Sequence, residues 1–249
     1  MTTNVLWTGG WDSTFRVLQT AICEGTVVQP HYVIDHKRQS LQCELAAMAS
    51  IKDALAEKFA DVRSRILPTR CYERCEIPPN EAITASHRSL LTESYLGWQY
   101  DWLARLAAWQ RIPGLELSVH RDDRAHAFIQ GIVERNAAGA LAVSAARTDA
   151  AAILFRDFVF PILDFTKLRM AAIAREHGFS ELLELTWFCQ SPDKHQRPCG
   201  SCGPCRHTIT EGLARRVPPA NRVKAQIARV YRGVGRRIRP IVPGPRTSA

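Results

Sequence analysis

Four cysteines in the C-terminal part of the chain have the spacing of a metal site. One cysteine precedes by ten positions a compact run in which three more are separated by glycine, serine and proline. Four thiolates are the number that tetrahedral Zn²⁺ takes in a closed structural site, and glycine and proline allow tight turns between ligands. His195 and His207 lie near enough in sequence to replace one cysteine, and an iron–sulfur cluster is the rival to zinc. We predict structural Zn²⁺ at Cys189, Cys199, Cys202 and Cys205.

A glycine turn near the N-terminus has the residue types of a phosphate-binding loop. Two glycines let the backbone approach an anion, a helix start offers amide donors, and hydroxyl side chains add further donors. The Walker A pattern, which would add a lysine, does not occur in the chain. Asp12 could hold Mg²⁺, or it could cap the helix if the segment is only a turn between a strand and a helix. The residues predicted to form the phosphate site are Thr8, Gly9, Gly10, Ser13 and Thr14, with Asp12 for Mg²⁺.

Strands and helices alternate along the chain. The glycine turn lies between a predicted strand at 5–7 and a predicted helix at 12–22. Further strands are predicted at 27–35, 64–67, 115–120 and 158–163, and further helices at 41–59, 98–109 and 166–177. Ser40 is the expected N-cap of the second helix, and Thr166 and Gly178 are expected to bound the last one. This order predicts an α/β fold with a mostly parallel sheet flanked by helices, in which the glycine turn lies where ligands bind.

The basic charge is concentrated at the C-terminus. The formal net charge is +9, but ten of the 33 basic residues and no acidic residue lie within 214–249. We predict a nucleotide-binding domain at 1–185, a zinc-binding element at 186–213, and a basic, partly disordered tail at 214–249. The tail would include a helix at 220–232 and could contact RNA or another polyanion. Because no run of 18 apolar residues and no secretory signal is present, we expect a cytoplasmic protein without a transmembrane segment.

Several short segments resemble one enzyme family. The glycine turn is similar to the Ser-Gly-Gly-x-Asp-Ser loop of the PP-loop, or N-type, ATP pyrophosphatases, with threonine in place of the first serine. Within that superfamily the chain resembles 7-cyano-7-deazaguanine synthase of queuosine biosynthesis over residues 4 to 213. The segments that carry this second resemblance are Asp35-His-Lys-Arg38 with Glu44, Asp164-Phe-Thr-Lys167, Glu184-Leu-Thr-Trp-Phe-Cys189 and Pro198-Cys-Gly-Ser-Cys-Gly-Pro-Cys205.

The resemblance implies a Rossmann-like fold of the adenine nucleotide alpha hydrolase type and an AMP-forming carbon–nitrogen ligase. Members of that family use ATP with ammonia to convert 7-carboxy-7-deazaguanine first to an amide and then to a nitrile, releasing pyrophosphate. The implied catalytic residues are Asp12, Ser13 and Lys167. The implied residues for ATP and its Mg²⁺ are Thr8, Gly9, Gly10, Asp12, Ser13, Thr14 and Asp35, and the implied zinc ligands are the four cysteines.

Two departures from the family concern the substrate. The family's Asp-Tyr-Ser-Gly-Tyr-Pro-Asp-Cys-Arg segment, which lines the deazaguanine pocket, is replaced by residues 119–126, and its Pro-Gly-Arg-Asn motif by residues 95–101. We therefore expect the ATP chemistry to be kept and a different carboxylate to be recognised, on a 7-deazapurine or another heterocyclic acid, with ammonia or an amine as nucleophile. A homodimer is also expected. The predicted substrate contacts are His120, Arg121, Asp122 and Asp123.

Two alternative functions fit the same sequence. The first is a PP-loop enzyme that modifies tRNA by sulfur transfer, with Cys71 or Cys75 as the sulfur carrier and the basic tail holding RNA. The second is a zinc-stabilised nucleic-acid-binding module in which the glycine turn is vestigial and the tail gives salt-sensitive binding.

Overall fold

A computed structural model describes residues 2–223, and the chain divides into two compact units, residues 1–187 and 188–249. The first unit is built on a seven-stranded sheet with the order β3-β2-β1-β4-β7-β6-β5. The neighbours from β3 to β7 pair in parallel, while β6 is antiparallel to both β7 and β5. The predicted mostly parallel sheet is therefore confirmed. Its strands are β1 (Thr2–Leu6), β2 (Val27–Ile34), β3 (Arg70–Glu73), β4 (Leu115–Glu116), β5 (Val133–Arg135), β6 (Leu141–Val143) and β7 (Phe158–Val159).

Eight α-helices accompany the strands in the described part of the first unit. They are α1 (Trp11–Leu18), α2 (Leu41–Lys58), α3 (Glu81–Glu93), α4 (Gln99–Gln110), α5 (His126–Ile129), α6 (Ala150–Phe155), α7 (Lys167–Glu176) and α8 (Ser180–Glu184). A π-helical segment, Gln19–Cys23, continues α1. None of the helices within residues 2–223 has the length and apolar character needed to cross a membrane.

The sheet is covered on both faces, as a parallel sheet requires. Alternate residues of β1 show this, because Val5 and the following Trp7 belong to one core cluster and Leu6 belongs to another. The first cluster includes Phe15 of α1 and residues of α2, α7 and α8. The second includes Tyr100 of α4 and residues of α3 and α6. Burial on both sides fixes the end of β1, and with it the position of the glycine turn.

The third predicted strand, 64–67, is wrong. Arg63–Arg65 form a 3₁₀ turn, and only Ile66 makes a parallel bridge, to Val28. The paired strand is β3, which aligns Arg70 with His31. Pro68 separates the two segments; it cannot donate to a sheet ladder, and its carbonyl accepts from Gln29 Nε2 at 2.8 Å.

The strands predicted at 115–120 and 158–163 are each only two residues long. The remaining residues of both segments leave the sheet at its carboxyl edge, where they form loops. Helices α3 and α6 and the β5–β6 hairpin were not predicted from the sequence. The hairpin turn uses Asn136, whose side-chain Oδ1 accepts from the amides of Ala138 and Ala140, so local side-chain chemistry rather than hydrophobic alternation defines it.

The predicted helix caps have mixed outcomes. Thr166 caps α7 as expected, since its Oγ1 accepts from the amide of Arg169 at 3.2 Å, and Gly178 after the helix has φ +73°. Ser40 occupies the N-cap position of α2, but its hydroxyl makes no capping bond and instead donates to Glu44 Oε1 at 2.7 Å.

In the described part of the second unit, residues 188–202 lack helices and strands, whereas most of residues 203–223 are helical. Helix α9 (Gly203–Thr208) begins inside the cysteine run with a proline in the first turn. Asn221 ties this unit together, because its side-chain amide donates to Asp193 Oδ2 at 3.0 Å and to the carbonyl of Pro198 at 2.8 Å. Residues 220–223, the start of the basic helix predicted at 220–232, are helical, and the rest of that helix and most of the predicted tail lie outside the described residues.

Candidate nucleotide site and metal centre

The glycine turn lies where the strand order of the sheet reverses. β1 pairs in parallel with β2 on one side and with β4 on the other, so the chain leaves the carboxyl ends of β1 and β4 in opposite directions. In open α/β sheets this point creates a crevice that binds ligands. The two loops that border it are residues 7–10, before α1, and residues 117–125, after β4.

Gly9 is suited to its position because any side chain there would clash with α2. Its φ is +68°, and a Cβ atom there would lie 2.9 Å from the carbonyl oxygen of Glu44 in α2. The carbonyl of Gly9 accepts a hydrogen bond from the amide of Trp187 at 2.8 Å. The turn is thus packed tightly against α2 and anchored to the end of the first unit.

The first turn of α1 presents donors and a carboxylate next to this glycine turn. Gly10 is the N-cap and offers no side-chain acceptor, so an anion is a natural partner for this helix end. Ser13 Oγ accepts from the amide of Thr8 at 3.3 Å and lies 3.4 Å from Thr8 Oγ1. Asp12 lies in the first turn rather than at the N-cap. The alternative in which Asp12 caps α1 is therefore wrong.

Thr14 is placed in the core. Its side chain is fully buried, and its hydroxyl accepts from Trp7 Nε1 at 2.9 Å. Its amide donates to the carbonyl of Gly10 at 2.9 Å, which is the first hydrogen bond of the helix. The Thr14 side chain therefore stabilises the glycine turn from the side of the hydrophobic core.

The loop after β4 places one predicted substrate residue beside Asp12 and another beside a buried tyrosine. His120 is buried, and its Nε2 lies 3.4 Å from Asp12 Oδ1. Asp123 accepts a hydrogen bond from the phenol of Tyr100, a buried residue of α4. Burial, together with the nearby carboxylates Asp123 and Asp12, raises the pKa of Tyr100 well above its ordinary value. Asp12, His120, Asp123 and Tyr100 thus form a single cluster, which we call the crevice cluster.

The other two predicted substrate residues are exposed. Arg121 and Asp122 point away from the core, and the amide of Arg121 donates to the carbonyl of Phe165 at 2.9 Å. This bond joins the loop after β4 to the segment before α7. Lys167, predicted to neutralise phosphate charge, is the first residue of α7 and is partly buried.

Asp35 follows β2 at the same edge of the sheet. Its Oδ2 lies 2.7 Å from Arg74 Nη1, and its Oδ1 accepts from the amide of Lys37 at 3.1 Å. Burial opposes ionisation, but these donors hold the pKa of Asp35 below its ordinary value. Asp35 is therefore an ionised carboxylate that orders its own loop.

Two polar contacts that hold these loops in place were not predicted from the sequence, although Arg38 and Glu44 belong to a segment that carries the family resemblance. Glu44 is buried and accepts hydrogen bonds from Tyr32 at 2.8 Å, from Arg38 at 3.0 Å and from Ser40. Glu116 of β4 pairs with Arg16 of α1 across 100 positions of sequence. Charged residues on otherwise apolar elements are the one signal that could have indicated both.

The four cysteines converge in the second unit. Their Sγ atoms all lie within 4.8 Å of one another, and the separations Cys199–Cys205 and Cys189–Cys202 are both 3.9 Å. The amide of Cys199 donates to Cys189 Sγ at 3.2 Å. Burial raises the pKa of Cys199, but the amides of Cys202 and Ser201 and the Ser201 hydroxyl lower it below the ordinary value. Such donors favour thiolates, so this cluster has the chemistry to hold a metal ion.

Neither histidine near the cysteine run joins this cluster. His195 and His207 are exposed, and within residues 188–223 only the cysteines bring ligand atoms together. The alternative in which a histidine replaces one cysteine is therefore not supported in this part of the chain.

No protein-family model and no curated protein matches the chain. Among solved structures, it is similar to the U34-tRNA thiolase NcsA from Methanococcus maripaludis with its [4Fe-4S] cluster. That similarity has 13% sequence identity and a TM-score of 0.41, and it covers 98% of this chain and 76% of the thiolase chain. Membership in the 7-cyano-7-deazaguanine synthase family stays a prediction from the sequence.

Proposed function

We propose that this chain is an ATP-dependent, AMP-forming ligase of the PP-loop type. It would adenylate a substrate carboxylate, release pyrophosphate, and pass the activated acyl group to ammonia or an amine. The observation that supports this most directly is the glycine turn at the strand-order reversal, which precedes a helix whose N-cap, Gly10, has no side chain. An acidic residue, Asp12, lies in the first turn of that helix, as the resemblance to the ATP pyrophosphatases requires.

Different residues of the described chain would have different roles in the adenylation step. The backbone at Gly10 and the hydroxyls of Thr8 and Ser13 would donate to the ATP phosphates, while Asp12 would hold Mg²⁺. When bound, Mg²⁺ would offset the charge of the phosphates. Lys167 would add a fixed positive charge as pyrophosphate leaves. Asp35, which Arg74 keeps ionised, is assigned to ATP at the edge of the same crevice.

The acid substrate would bind beside the loop after β4. His120 lies beside Asp12, and Asp123 lies beside Tyr100, so both are suited to contact the reacting end of the substrate. Arg121 and Asp122 are exposed and would meet the more distant part of the substrate at the mouth of the crevice. The cationic Arg121 side chain suits an acidic group there.

Zn²⁺ is the metal that we assign to the four cysteines. Four thiolates about 2.3 Å from one tetrahedral ion lie about 3.8 Å apart. The observed Sγ separations of 3.9 Å, within a group that spans at most 4.8 Å, fit one ion. In a [4Fe-4S] cluster each thiolate binds a different iron, which places the four sulfurs farther apart. Because all four positions would be filled by protein ligands, the ion would stabilise the second unit rather than activate water.

Release of pyrophosphate tests the ligase proposal. The wild type would be incubated with ATP, Mg²⁺, 7-carboxy-7-deazaguanine and ammonium, with products followed by mass. We expect acid-dependent pyrophosphate and an amide or nitrile, both lost in Asp12→Ala and kept in Asp53→Ala, an exposed carboxylate of α2. If ATP binds and neither product appears, this acid is not the substrate. If ATP does not bind, the ligase proposal fails.

Sulfur transfer to tRNA is the second candidate function. It is favoured by two exposed thiols on the outer strand β3 and just after its carboxyl end, Cys71 and Cys75. Replacing both with serine should leave ligase activity unchanged, whereas a sulfur carrier would lose turnover completely. RNA binding through the tail would be tested by truncation after Val223, because an earlier cut removes Asn221 and its bonds to Asp193 and Pro198.

A further inference from the structure

His120 differs from the other buried histidines of the described chain. His31 is bonded at both ring nitrogens, to Tyr72 and to Asn4, and His87 Nε2 is bonded to the carbonyl of Gly97. His120 is 5% exposed, yet neither of its ring nitrogens makes a hydrogen bond to any residue within 2–223. A buried imidazole that makes no hydrogen bond costs folding free energy, so its retention indicates a partner that arrives with a ligand.

The surroundings of His120 match those of a general base. Asp12 Oδ1 lies 3.4 Å from Nε2, which is slightly too long for a hydrogen bond and typical of catalytic pairs before the substrate binds. A carboxylate on one ring nitrogen fixes the tautomer and leaves the other nitrogen as an acceptor. The loop forms a turn at this point, because the amide of Asp123 donates to the carbonyl of His120 at 3.0 Å. Asp123 is held in turn by the phenol of Tyr100.

We propose that His120 is a catalytic residue that accepts the proton of the nitrogen nucleophile. The role rests on the proposed ligase function. Ammonia attacks the carbonyl carbon of the acyl adenylate, the carbon–nitrogen bond forms, and the bond from that carbon to the AMP oxygen breaks. AMP leaves with the electron pair of that bond. The proton lost by nitrogen goes to Nδ1 of His120, while Nε2–H is held by Asp12.

This role separates the two halves of the reaction. Formation of the acyl adenylate needs the phosphate-binding groups of the glycine turn and does not need a base for ammonia. Exchange of labelled pyrophosphate into ATP reports that first half alone. The rate of product formation with ammonium reports both halves of the reaction. Hydroxylamine is unprotonated near neutral pH, and its adduct releases a proton more readily, so it depends less on a base.

The test compares His120→Gln with the wild type, using ATP, Mg²⁺ and 7-carboxy-7-deazaguanine. His120→Asn is measured in parallel, and His126→Gln is the matched control, since His126 is a half-buried histidine of α5 just beyond the same loop. We expect the His120 variants to exchange pyrophosphate within about threefold of the wild-type rate. Product formation with ammonium should fall on the order of 100- to 10,000-fold, as loss of a general base does. Hydroxamate formation with hydroxylamine should stay within about tenfold.

Each other outcome overturns the proposal. If the His120 variants keep ammonium-dependent product formation, no base is needed at this position. If both variants lose pyrophosphate exchange although circular dichroism shows them folded, His120 acts in adenylation or substrate binding instead. If the wild type itself shows no exchange with this acid, the acid is not its substrate and the role of His120 in its amidation fails, whereas the ligase proposal on which the role rests fails only if ATP does not bind.

Discussion

Arg16 of α1 and Glu116 of β4 form a buried, two-pronged ion pair. Arg16 Nε lies 2.7 Å from Glu116 Oε2, and Nη2 lies 2.8 Å from Oε1, with both side chains less than one-tenth exposed. Arg16 also contacts Glu24 just after the π-helical segment. The pair attaches the helix that follows the glycine turn to the strand that precedes the His120 loop. It therefore sets the distance between the two borders of the crevice.

Removing one partner of this pair should destabilise the protein strongly. Glu116→Gln leaves the buried Arg16 guanidinium with only the partly exposed Glu24 as counter-charge, and loss of one partner of a buried pair costs about 3–5 kcal/mol. The free energy of unfolding, from urea titration, is the measurement. Arg16→Met with Glu116→Leu should recover most of the loss, because the double variant buries no charge. Equal stability of the single and double variants would contradict the assignment.

Substitution of Gly9 should impair ATP binding more than substitution of a comparable glycine. An alanine at position 9 would have to adopt a left-handed backbone conformation, which costs about 1–2 kcal/mol for a residue with a side chain. Its Cβ would also lie 2.9 Å from the Glu44 carbonyl oxygen, so the turn must move in Gly9→Ala. Gly25→Ala is the matched control, because its φ is +64° and no atom lies within 4 Å of the added Cβ. Titration with ATP and Mg²⁺ should show at least tenfold weaker binding for Gly9→Ala only. Equal affinity in both variants would argue against the turn as the phosphate site.

Metal analysis should find one Zn²⁺ per chain. Cys189→Ser and Cys202→Ser should each lose the metal, because a closed site needs all four thiolates. Cys75→Ser, an exposed cysteine of the first unit, should retain it. Elemental analysis of anaerobically purified protein distinguishes the metals. Iron with acid-labile sulfide, in place of zinc, would overturn the zinc assignment.

Acid should destabilise the protein through His31. Burial, with a smaller contribution from the positive charge of Arg70, lowers the pKa of His31 from 6.5 to about 4. The unfolded chain therefore binds more protons between these values, and the free energy of unfolding decreases as pH falls through that window. The decrease from this residue should be about 2 kcal/mol at pH 5 relative to pH 7.5.

The His31 contribution is isolated by comparing urea unfolding of the wild type and His31→Gln at the two pH values. The variant should be less stable at pH 7.5 but should lose less stability on acidification. His177→Gln, at an exposed position after α7, should follow the wild type. Parallel pH profiles for wild type and His31→Gln would show that His31 does not titrate as described.

The sequence predicts the elements that carry strong local signals. The first two βα units and α7 appear close to their predicted bounds, because apolar periodicity, Thr166 and Gly178 each favour the same structure. The third strand failed where Ile66 and Leu67 indicated a strand but Pro68 interrupted it. The spacing of the four cysteines also predicted that they form one cluster, because these residues lie close together in the sequence. The contact of Asp12 with His120 could not be predicted, since it depends on β1 and β4 being neighbours, which sequence order does not specify.

The bond between the Trp187 amide and the Gly9 carbonyl has a consequence for the order of assembly. The glycine turn is encoded within the first ten residues, but one of its anchors is the last residue of the first unit. During synthesis on the ribosome, the turn cannot reach its final form until some 180 further residues have been added. Affinity for nucleotide should thus develop late in synthesis, when the whole first unit is available to fold.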